Sequence, residues 1–133
     1  MEEDTLLLIK PDAVQKRLIG TILNRVESAG FTITGLLMKR LTLKEAQEFY
    51  SVHKGKPFFE GLTEFMTTGP VVAVRLRKEN AILDLRRLVG PTNASEAPKG
   101  TLRGDYGTDQ RRNAVHASDS PASAAKEIAF FFE

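Results

Sequence analysis

Short apolar runs alternate along this chain with longer segments in which apolar residues recur at helical spacing, and this alternation limits the possible folds. The first run, TLLLI at 5–9, is stopped by Pro11 and is typical of a strand buried on both faces. Further strands are predicted over 31–40, 70–77 and 114–117. Helices are predicted over 19–30, 42–50, 57–66, 79–90 and 120–132.

Local signals support these boundaries. Thr42 and Glu45 form a capping-box pattern, Gly30 follows one helix, and Pro57 suits the first turn of another. The last helix is expected to turn inward a face made of Ala125, Ile128, Ala129 and Phe132. The order of elements forms two βαβ-like halves and predicts an α+β, ferredoxin-like βαββαβ fold. Its four-stranded sheet should be largely antiparallel and covered by helices.

Composition excludes several classes of protein. The 133 residues suit a single domain over 1–133, with ordinary hydrophobic (41%) and charged (27%) content. The absence of cysteine excludes disulfides and thiol chemistry. A formal net charge of +2 is too small to argue for nucleic acid by itself. The N-terminus is acidic and the longest apolar runs span about five residues, against the roughly 20 that cross a bilayer. We therefore expect a cytoplasmic protein without a membrane partner.

A long polar segment over 91–113 precedes the last predicted strand. It contains two prolines and three glycines and has no clear period. A loop of this length in a compact domain is usually functional or disordered. His116 follows it, at the end of the strand and just before the last helix, so its chemistry is the main question that the sequence raises.

Three chemical roles are open for His116, beside the plain one of a hydrogen-bonded structural residue. A zinc site is disfavoured because His53, the other histidine, belongs to a segment expected to be an exposed loop, and no H-x-x-H or H-E-x-x-H spacing exists. A Ser-His-Asp hydrolase is disfavoured because the G-x-S-x-G elbow is missing. A nucleophile is the third role, since a neutral imidazole has a free lone pair that can accept a phosphoryl group.

A phosphoryl-accepting histidine needs cations for phosphates and a group that orients its ring. Candidate cations are Lys10, Arg86 and Arg103, although each taken singly is more typical of a solvated surface. Glu127 lies two helical turns after Ser120, and helix side chains tilt toward the N-terminus, so it could approach the histidine strand. No G-x-x-x-x-G-K-[ST] or G-x-G-x-x-G is present, so phosphate binding has to rely on side chains and loop amides.

Several segments together resemble the nucleoside diphosphate kinase family. NAVHASDS at 113–120 is similar to its active-site pattern N-x-x-H-[GA]-S-D-[SA]. Further ordered similarities are LLLIKPDAVQKRLIG, GFTITGLLMKRL, FYSVHKGKPFFEGL, TTGPVVAV, GPTN, GTLRGDYG and AAKEIAFFF. The resemblance covers residues 5–132 and agrees with the ferredoxin-like plan. Because the chain ends directly after the last predicted helix, it resembles the short bacterial type.

The resemblance implies roles for individual residues. His116 matches the histidine that is transiently phosphorylated, and Ser118 with Glu127 matches the pair that supports it. Lys10 matches the lysine that meets the outer phosphates, and Tyr50 a tyrosine near both. The implied nucleotide site consists of Phe58 for base stacking, Leu62 one turn on, Arg86, Thr92 and Arg103 for the phosphates, and Asn113 for the sugar.

The family reaction, as the resemblance implies it, moves the terminal phosphoryl of ATP or another nucleoside triphosphate onto a nucleoside diphosphate. It proceeds by a ping-pong route through a phosphohistidine, with Mg²⁺ on the phosphates and no metal site built from protein side chains. A homo-oligomer, tetramer or hexamer, is expected. Phe49 departs from the pattern, since many relatives carry histidine there. The alternatives are a nucleic-acid-binding module, or nucleic-acid binding as a secondary role, and an inactive relative.

Overall fold

A four-stranded antiparallel sheet forms the centre of the computed structural model, which describes residues 2–132. The strands, in chain order, are β1 (Glu2–Ile9), β2 (Thr32–Lys39), β3 (Val71–Glu79) and β4 (Val115–Ala117). Their spatial order is β2-β3-β1-β4, and each neighbouring pair is antiparallel. This arrangement confirms the predicted ferredoxin-like α+β fold. Positions 1 and 133 of the predicted single domain lie outside the described residues.

Seven α-helices connect and cover the strands within residues 2–132. They are α1 (Pro11–Gln15), α2 (Ile19–Ser28), α3 (Leu43–Phe49), α4 (Phe59–Phe65), α5 (Ala81–Val89), α6 (Leu102–Tyr106) and α7 (Pro121–Phe132). The capping box at α3 is present, since the Thr42 hydroxyl accepts from the Glu45 N–H while the Glu45 carboxylate accepts from the Thr42 N–H. No helix between Glu2 and Phe132 combines the length and apolarity needed to cross a bilayer.

The central strand β1 is buried on both of its faces, as its uninterrupted apolar run predicts. Leu7 and Ile9 belong to one core, which packs against α2, α5 and α6. Leu6 and Leu8 belong to a second core on the opposite face, which packs against α3, α4 and α7. Helices therefore cover both faces of the sheet along the apolar part of β1, Leu6–Ile9, whereas Glu2, Glu3 and Asp4 at the start of the strand are exposed or only partly buried.

Two short helices and one helix face differ from the sequence prediction. Helix α1 was not predicted, and α6 lies inside the segment 91–113 that was predicted to be a loop. The predicted inward face of α7 is half correct: Ile128 and Phe132 pack against the second core, but Ala125 and Ala129 are exposed while Ala124 and Phe131 are buried. The inward side of the helix also contains Glu127, a residue that a hydrophobic pattern assigns to solvent.

Gly90 ends α5 in a backbone conformation that only glycine adopts readily. Its φ is 89° and its ψ is −178°. A Cβ atom built there would lie 2.9 Å from the Cβ of Thr101. The Gly90 carbonyl accepts a hydrogen bond from Nη1 of Arg103 at 3.0 Å. The backbone conformation at Gly90 therefore also holds an arginine that lines the cavity.

We expect Gly90→Ala to lower the free energy of unfolding by about 1–3 kcal/mol from backbone strain, with the steric overlap adding to this loss. Urea unfolding would measure the change. Gly20→Ala is the matched control, because Gly20 lies in α2 and a Cβ atom added there would meet no other atom within 4 Å. That control should be neutral or stabilising by up to about 1 kcal/mol. Equal destabilisation by both changes would contradict the strain at Gly90.

Candidate active site

A cavity of about 980 Å³ opens at the end of the sheet where β4 carries His116. Every sequence-predicted site residue except Ser118 and Glu127 lines it. The predicted residues that line the cavity are Lys10, Tyr50, Phe58, Leu62, Arg86, Thr92, Arg103, Asn113 and His116. They come from β4, the helices α4 and α5, the segment 91–113 and the ends of β1 and α3, so the antiparallel sheet order brings distant parts of the chain together.

His116, Ser118 and Glu127 form a hydrogen-bonded group beside the cavity. One carboxylate oxygen, Oε1 of Glu127, lies 2.9 Å from Nε2 of His116 and 2.6 Å from Oγ of Ser118. Ser118 is fully buried, and the side chain of Glu127 is 14% exposed. A carboxylate accepts hydrogen bonds, so in the neutral imidazole this contact favours the tautomer with the proton on Nε2 and the lone pair on Nδ1. No residue between positions 2 and 132 forms a hydrogen bond with Nδ1.

Two aromatic rings pack edge-on against the imidazole of His116. The ring centroids of Phe49 and Tyr50 lie 5.3 Å and 5.8 Å from it. Burial, and then the charge of Glu127, raise the pKa of Tyr50 well above its usual range, so its hydroxyl stays protonated. Phe49 was not a predicted site residue, and the structure shows that this departure from the family pattern borders the histidine directly.

Lys10 lies at the end of β1 and is almost completely buried. Its Nζ donates to the carbonyl of Arg111 at 2.7 Å and to Oδ1 of Asn113 at 2.9 Å, and lies 5.7 Å from the ring centre of Phe65. Burial lowers its pKa from 10.5 to about 8, against the opposing effect of Asp12. The ammonium group is therefore held inside the protein with fewer water contacts than a surface lysine.

Two arginines add positive charge to the same wall. Arg103 is 4% exposed, and its guanidinium donates to the carbonyl of Val115 at 3.0 and 3.3 Å. Burial, and then the charge of Arg86, lower the pKa of Arg103 to about 10, which leaves it protonated at neutral pH. Nη1 of Arg86 lies 3.4 Å from the carbonyl oxygen of Ala117. Both arginines thus also contact the backbone of β4, on either side of His116.

The side-chain amide of Asn113 is engaged within the protein. Its Nδ2 donates to the carbonyls of Thr92 and Gln110 at 2.8 and 3.1 Å, and its Oδ1 accepts from Lys10. Asn113 is 3% exposed, whereas Thr92 is exposed at the cavity wall. The amide oxygen keeps one further lone pair for a ligand.

The α4 segment contributes apolar and aromatic side chains to the cavity wall. Phe58 is 43% exposed there, with Leu62 one turn further along the α4 segment. His53 contacts the Phe58 ring at 5.2 Å between centroids, and it lines the cavity. Burial, and then the charge of Lys56, lower the pKa of His53, which favours its neutral form. The segment around His53 is exposed as predicted, but it begins with a 3-10 turn, Ser51–His53, and His53 itself is only partly exposed.

Arg111 and Arg112 were also missed by sequence reasoning. A Cβ atom built on Gly61 of α4 would overlap the Arg111 guanidinium, so this side chain crosses from the segment 91–113 onto α4. Arg112 pairs with Asp109 at 2.6 Å, and the pKa of Asp109 falls to about 2 mainly through that pair. No sequence motif marks Arg111 and Arg112 as site residues. Only the fold shows that both line the cavity.

Magnesium has no preformed protein site in the described part of the chain. No group of three or more His, Cys, Asp or Glu side chains within residues 2–132 is arranged to hold a metal ion. The cavity carboxylates Glu64 and Asp119 belong to different elements, and Asp109 is already paired with Arg112.

The arrangement suits the transfer of an anionic group to a ring nitrogen. Buried cations line one wall, an oriented imidazole lies beside them, and an exposed aromatic ring lies at the far end. Such a cavity can accommodate a molecule with a polyanionic end and a flat apolar end.

Comparison with known proteins identifies the family that this chain resembles. The family model described as nucleoside diphosphate kinase matches residues 3–133. A nucleoside diphosphate kinase of Staphylothermus marinus is 55% identical over 131 residues, which cover 98% of this chain and 93% of that protein.

Solved structures show the same fold. The nucleoside diphosphate kinase of Aquifex aeolicus has a TM-score of 0.98 and 48% identity, covering 100% of this chain and 96% of that one. A halophilic nucleoside diphosphate kinase of Halobacterium salinarum, solved in complex with CDP, has a TM-score of 0.97 and 41% identity, covering 100% and 89%. With a family match along nearly the whole chain and these structural neighbours, the chain belongs to the nucleoside diphosphate kinase family of nucleotide-phosphorylating enzymes.

Proposed function

We propose that this enzyme transfers the terminal phosphoryl group of a nucleoside triphosphate to a nucleoside diphosphate through a phosphohistidine on Nδ1 of His116. The observation that carries this proposal is the shared oxygen of Glu127, which accepts from Nε2 of His116 and from Ser118. Because Nε2 is engaged, Nδ1 is the nitrogen that has a lone pair for attack.

In the first half-reaction, the Nδ1 lone pair of His116 forms a bond to the terminal phosphorus while the bond to the bridging oxygen breaks. The nucleoside diphosphate leaves with the electron pair of that bond. The ring becomes a phosphorylated imidazolium, and its Nε2–H stays hydrogen-bonded to the negatively charged Glu127. The second half-reaction reverses these steps with a different nucleoside diphosphate, so one cavity serves donor and acceptor in turn.

Positive charge in the cavity wall supports phosphate binding in this proposal. Lys10, Arg86 and Arg103 line the cavity and surround the approach to His116. Phosphoryl transfer depends mainly on positioning and on neutralisation of charge, and the buried Lys10 and Arg103 act more strongly than the exposed Arg86. Thr92 and Tyr50 offer hydroxyl groups along the same wall, and the raised pKa of Tyr50 keeps it a hydrogen-bond donor.

Phe58 and Leu62 support binding of the base in this proposal, and Asn113, which contacts Lys10, supports binding of the sugar. Phe58 and Leu62 provide an apolar platform on which any base can stack, since each base has a π-face. Asn113 has a free lone pair on Oδ1 for a sugar hydroxyl, while its amide nitrogen holds the carbonyl of Thr92. Because the base is bound by stacking and the hydrogen bond goes to the sugar, we expect weak preference among bases.

Mg²⁺ is part of the proposal as an ion carried on the nucleotide phosphates. When bound there it would neutralise phosphate charge and hold the phosphate chain in a defined geometry. The separate carboxylates Glu64 and Asp119 line the cavity without forming a cluster, which supports binding through phosphates.

Assembly and location complete the proposal. We propose a homo-oligomer, tetramer or hexamer, in the cytoplasm; the half-exposed Leu36 and Met38 on the outer strand β2, each 55% exposed, support self-association.

Nucleic-acid binding is at most secondary. The four strands contain no Phe, Tyr or Trp, and helices cover both faces of the sheet, so an open stacking platform is lacking within residues 2–132.

The proposed nucleophile can be tested by labelling the protein with γ-labelled ATP and Mg²⁺. Wild-type protein should take up an acid-labile label that GDP removes as GTP, and NMR of the labelled protein should assign it to Nδ1. His116→Ala should bind nucleotide but take up no label. Glu127→Ala should be labelled roughly ten- to a hundredfold more slowly, as expected for loss of an orienting partner. Label on His116→Ala would refute the nucleophile, and an unchanged rate for Glu127→Ala would refute its role.

The proposed base platform can be tested by measuring dissociation constants for ADP, GDP and CDP. Phe58→Ala should weaken binding of all three by roughly 1–3 kcal/mol, because stacking is lost whichever base is present. Val52→Ala is the control, since Val52 lies nearby, is 70% exposed and is not part of the cavity wall. A loss confined to one nucleotide would indicate recognition of base edges instead.

Burial of the Lys10 ammonium predicts a pH dependence of stability in the nucleotide-free protein. Its pKa is about 8 when folded against 10.5 for the ordinary side chain, so the unfolded chain binds more protons between these values. From about pH 7 to about pH 10, wild-type protein should therefore gain about 2 kcal/mol of stability relative to Lys10→Met.

Urea unfolding of both proteins across this pH range would measure that difference. Lys44→Met, at an exposed position of α3, controls for the loss of a surface lysine. Saturating ADP should reduce the effect, because phosphates favour the protonated ammonium. Parallel stability curves for wild type and Lys10→Met would contradict the desolvated lysine.

A further inference from the structure

Asp12 is a buried carboxylate that none of the steps described above uses. It lies in α1, directly after the strand that carries Lys10, and is 7% exposed. Its Oδ2 accepts a hydrogen bond from the backbone N–H of Ala114 at 2.9 Å. The two residues are far apart in sequence, so this bond joins the end of β1 to the segment that leads into β4.

The backbone at Ala114 forms a strained turn. Ala114 has a φ of 75°, and the N–H of Val115 donates to the carbonyl of Asn113 at 2.9 Å. A bond between residues two apart with a positive φ at the centre is a γ-turn, a rare conformation that carries strain for any residue with a side chain. The surrounding contacts must therefore hold this turn in place.

Site residues supply those contacts on both sides of the turn. The backbone N–H of Lys10 donates to the carbonyl of Ala114 at 2.9 Å, and the Arg103 guanidinium donates to the carbonyl of Val115. Asp12 is the partner of the remaining polar group, the Ala114 N–H. The turn lies between Asn113, whose side chain binds Lys10, and His116 in β4.

We propose that Asp12 is a positioning residue for phosphoryl transfer, which acts by holding the γ-turn at Ala114 and thereby setting the place of His116 relative to Lys10 and Asn113. This inference rests on the proposed function of His116. Because β4 has only three residues, its own ladder with β1 fixes it weakly, and the turn that precedes it has a large influence on where the imidazole lies.

A carboxylate suits this task better than a neutral acceptor. It accepts charge-assisted hydrogen bonds, which are shorter and stronger than neutral ones, and Asp12 is only 7% exposed. Its charge also opposes the effect of burial on the pKa of neighbouring Lys10, so the same group favours the protonated lysine. Asp12 thus supports the wall of cations without touching the nucleotide.

The test is the single-turnover rate of His116 labelling at saturating γ-labelled ATP and Mg²⁺, where differences in nucleotide affinity drop out. Asp12→Ala should lower this rate by roughly ten- to a hundredfold, the range known for loss of an outer positioning partner. Adding Ala114→Gly should restore most of it, because glycine adopts a φ of 75° without strain. Asp12→Asn keeps a weaker oxygen acceptor, so its labelling rate should fall less. Adding Ala114→Gly to Asp12→Asn should also return the rate toward the wild-type value.

Glu45→Ala is the matched control. It also removes a carboxylate that accepts a backbone N–H, from Thr42 at 2.9 Å, but at a helix start outside the cavity wall, and it should be labelled at the wild-type rate. Wild-type labelling of Asp12→Ala would overturn the inference while leaving the proposed function intact. So would a double variant labelled no faster than Asp12→Ala. If Asp12→Ala does not fold, the pair Asp12→Asn and Asp12→Asn/Ala114→Gly decides the question. Absence of label on the wild type would overturn the proposed function itself.

Discussion

A single carboxylate oxygen of Glu127 connects the last helix to the edge of the sheet. Because it accepts from both His116 and Ser118, α7 can pack only with its Glu127 face turned toward β4. That rotation decides which apolar residues of α7 reach the second core, including Phe131. Packing of the helix and orientation of the imidazole are therefore consequences of the same contact, and neither can change without the other.

Much of the fold follows from the sequence because its signals are local and repeated. The buried run of β1, the capping box of α3 and the glycine after α2 each specify an element from neighbouring residues alone. Helix α6 could not be predicted in this way, since its five residues are too few to show a period. It forms because the Thr101 hydroxyl accepts from the Gly104 N–H and because Leu102 and Arg103 find buried positions.

The site was predictable only where a motif marks it. His116, Ser118 and Glu127 are brought together as the spacing and the family resemblance suggest, but the inward turn of Glu127 contradicts the hydrophobic pattern of α7. His53 and Arg111 line the cavity through long-range packing that no local pattern encodes. The strained backbone at Ala114 is likewise invisible in sequence, because alanine there gives no sign of a positive φ.

The two edges of the sheet differ in length, and this has a consequence for association between chains. Strand β4 offers only three residues at its edge, which is too short to template an additional strand, whereas β2 offers eight. The exposed Leu36 and Met38 lie on that longer edge strand. Within the described sheet, the longer unpaired edge therefore lies on the side away from His116, and a strand added there would leave the cavity mouth open.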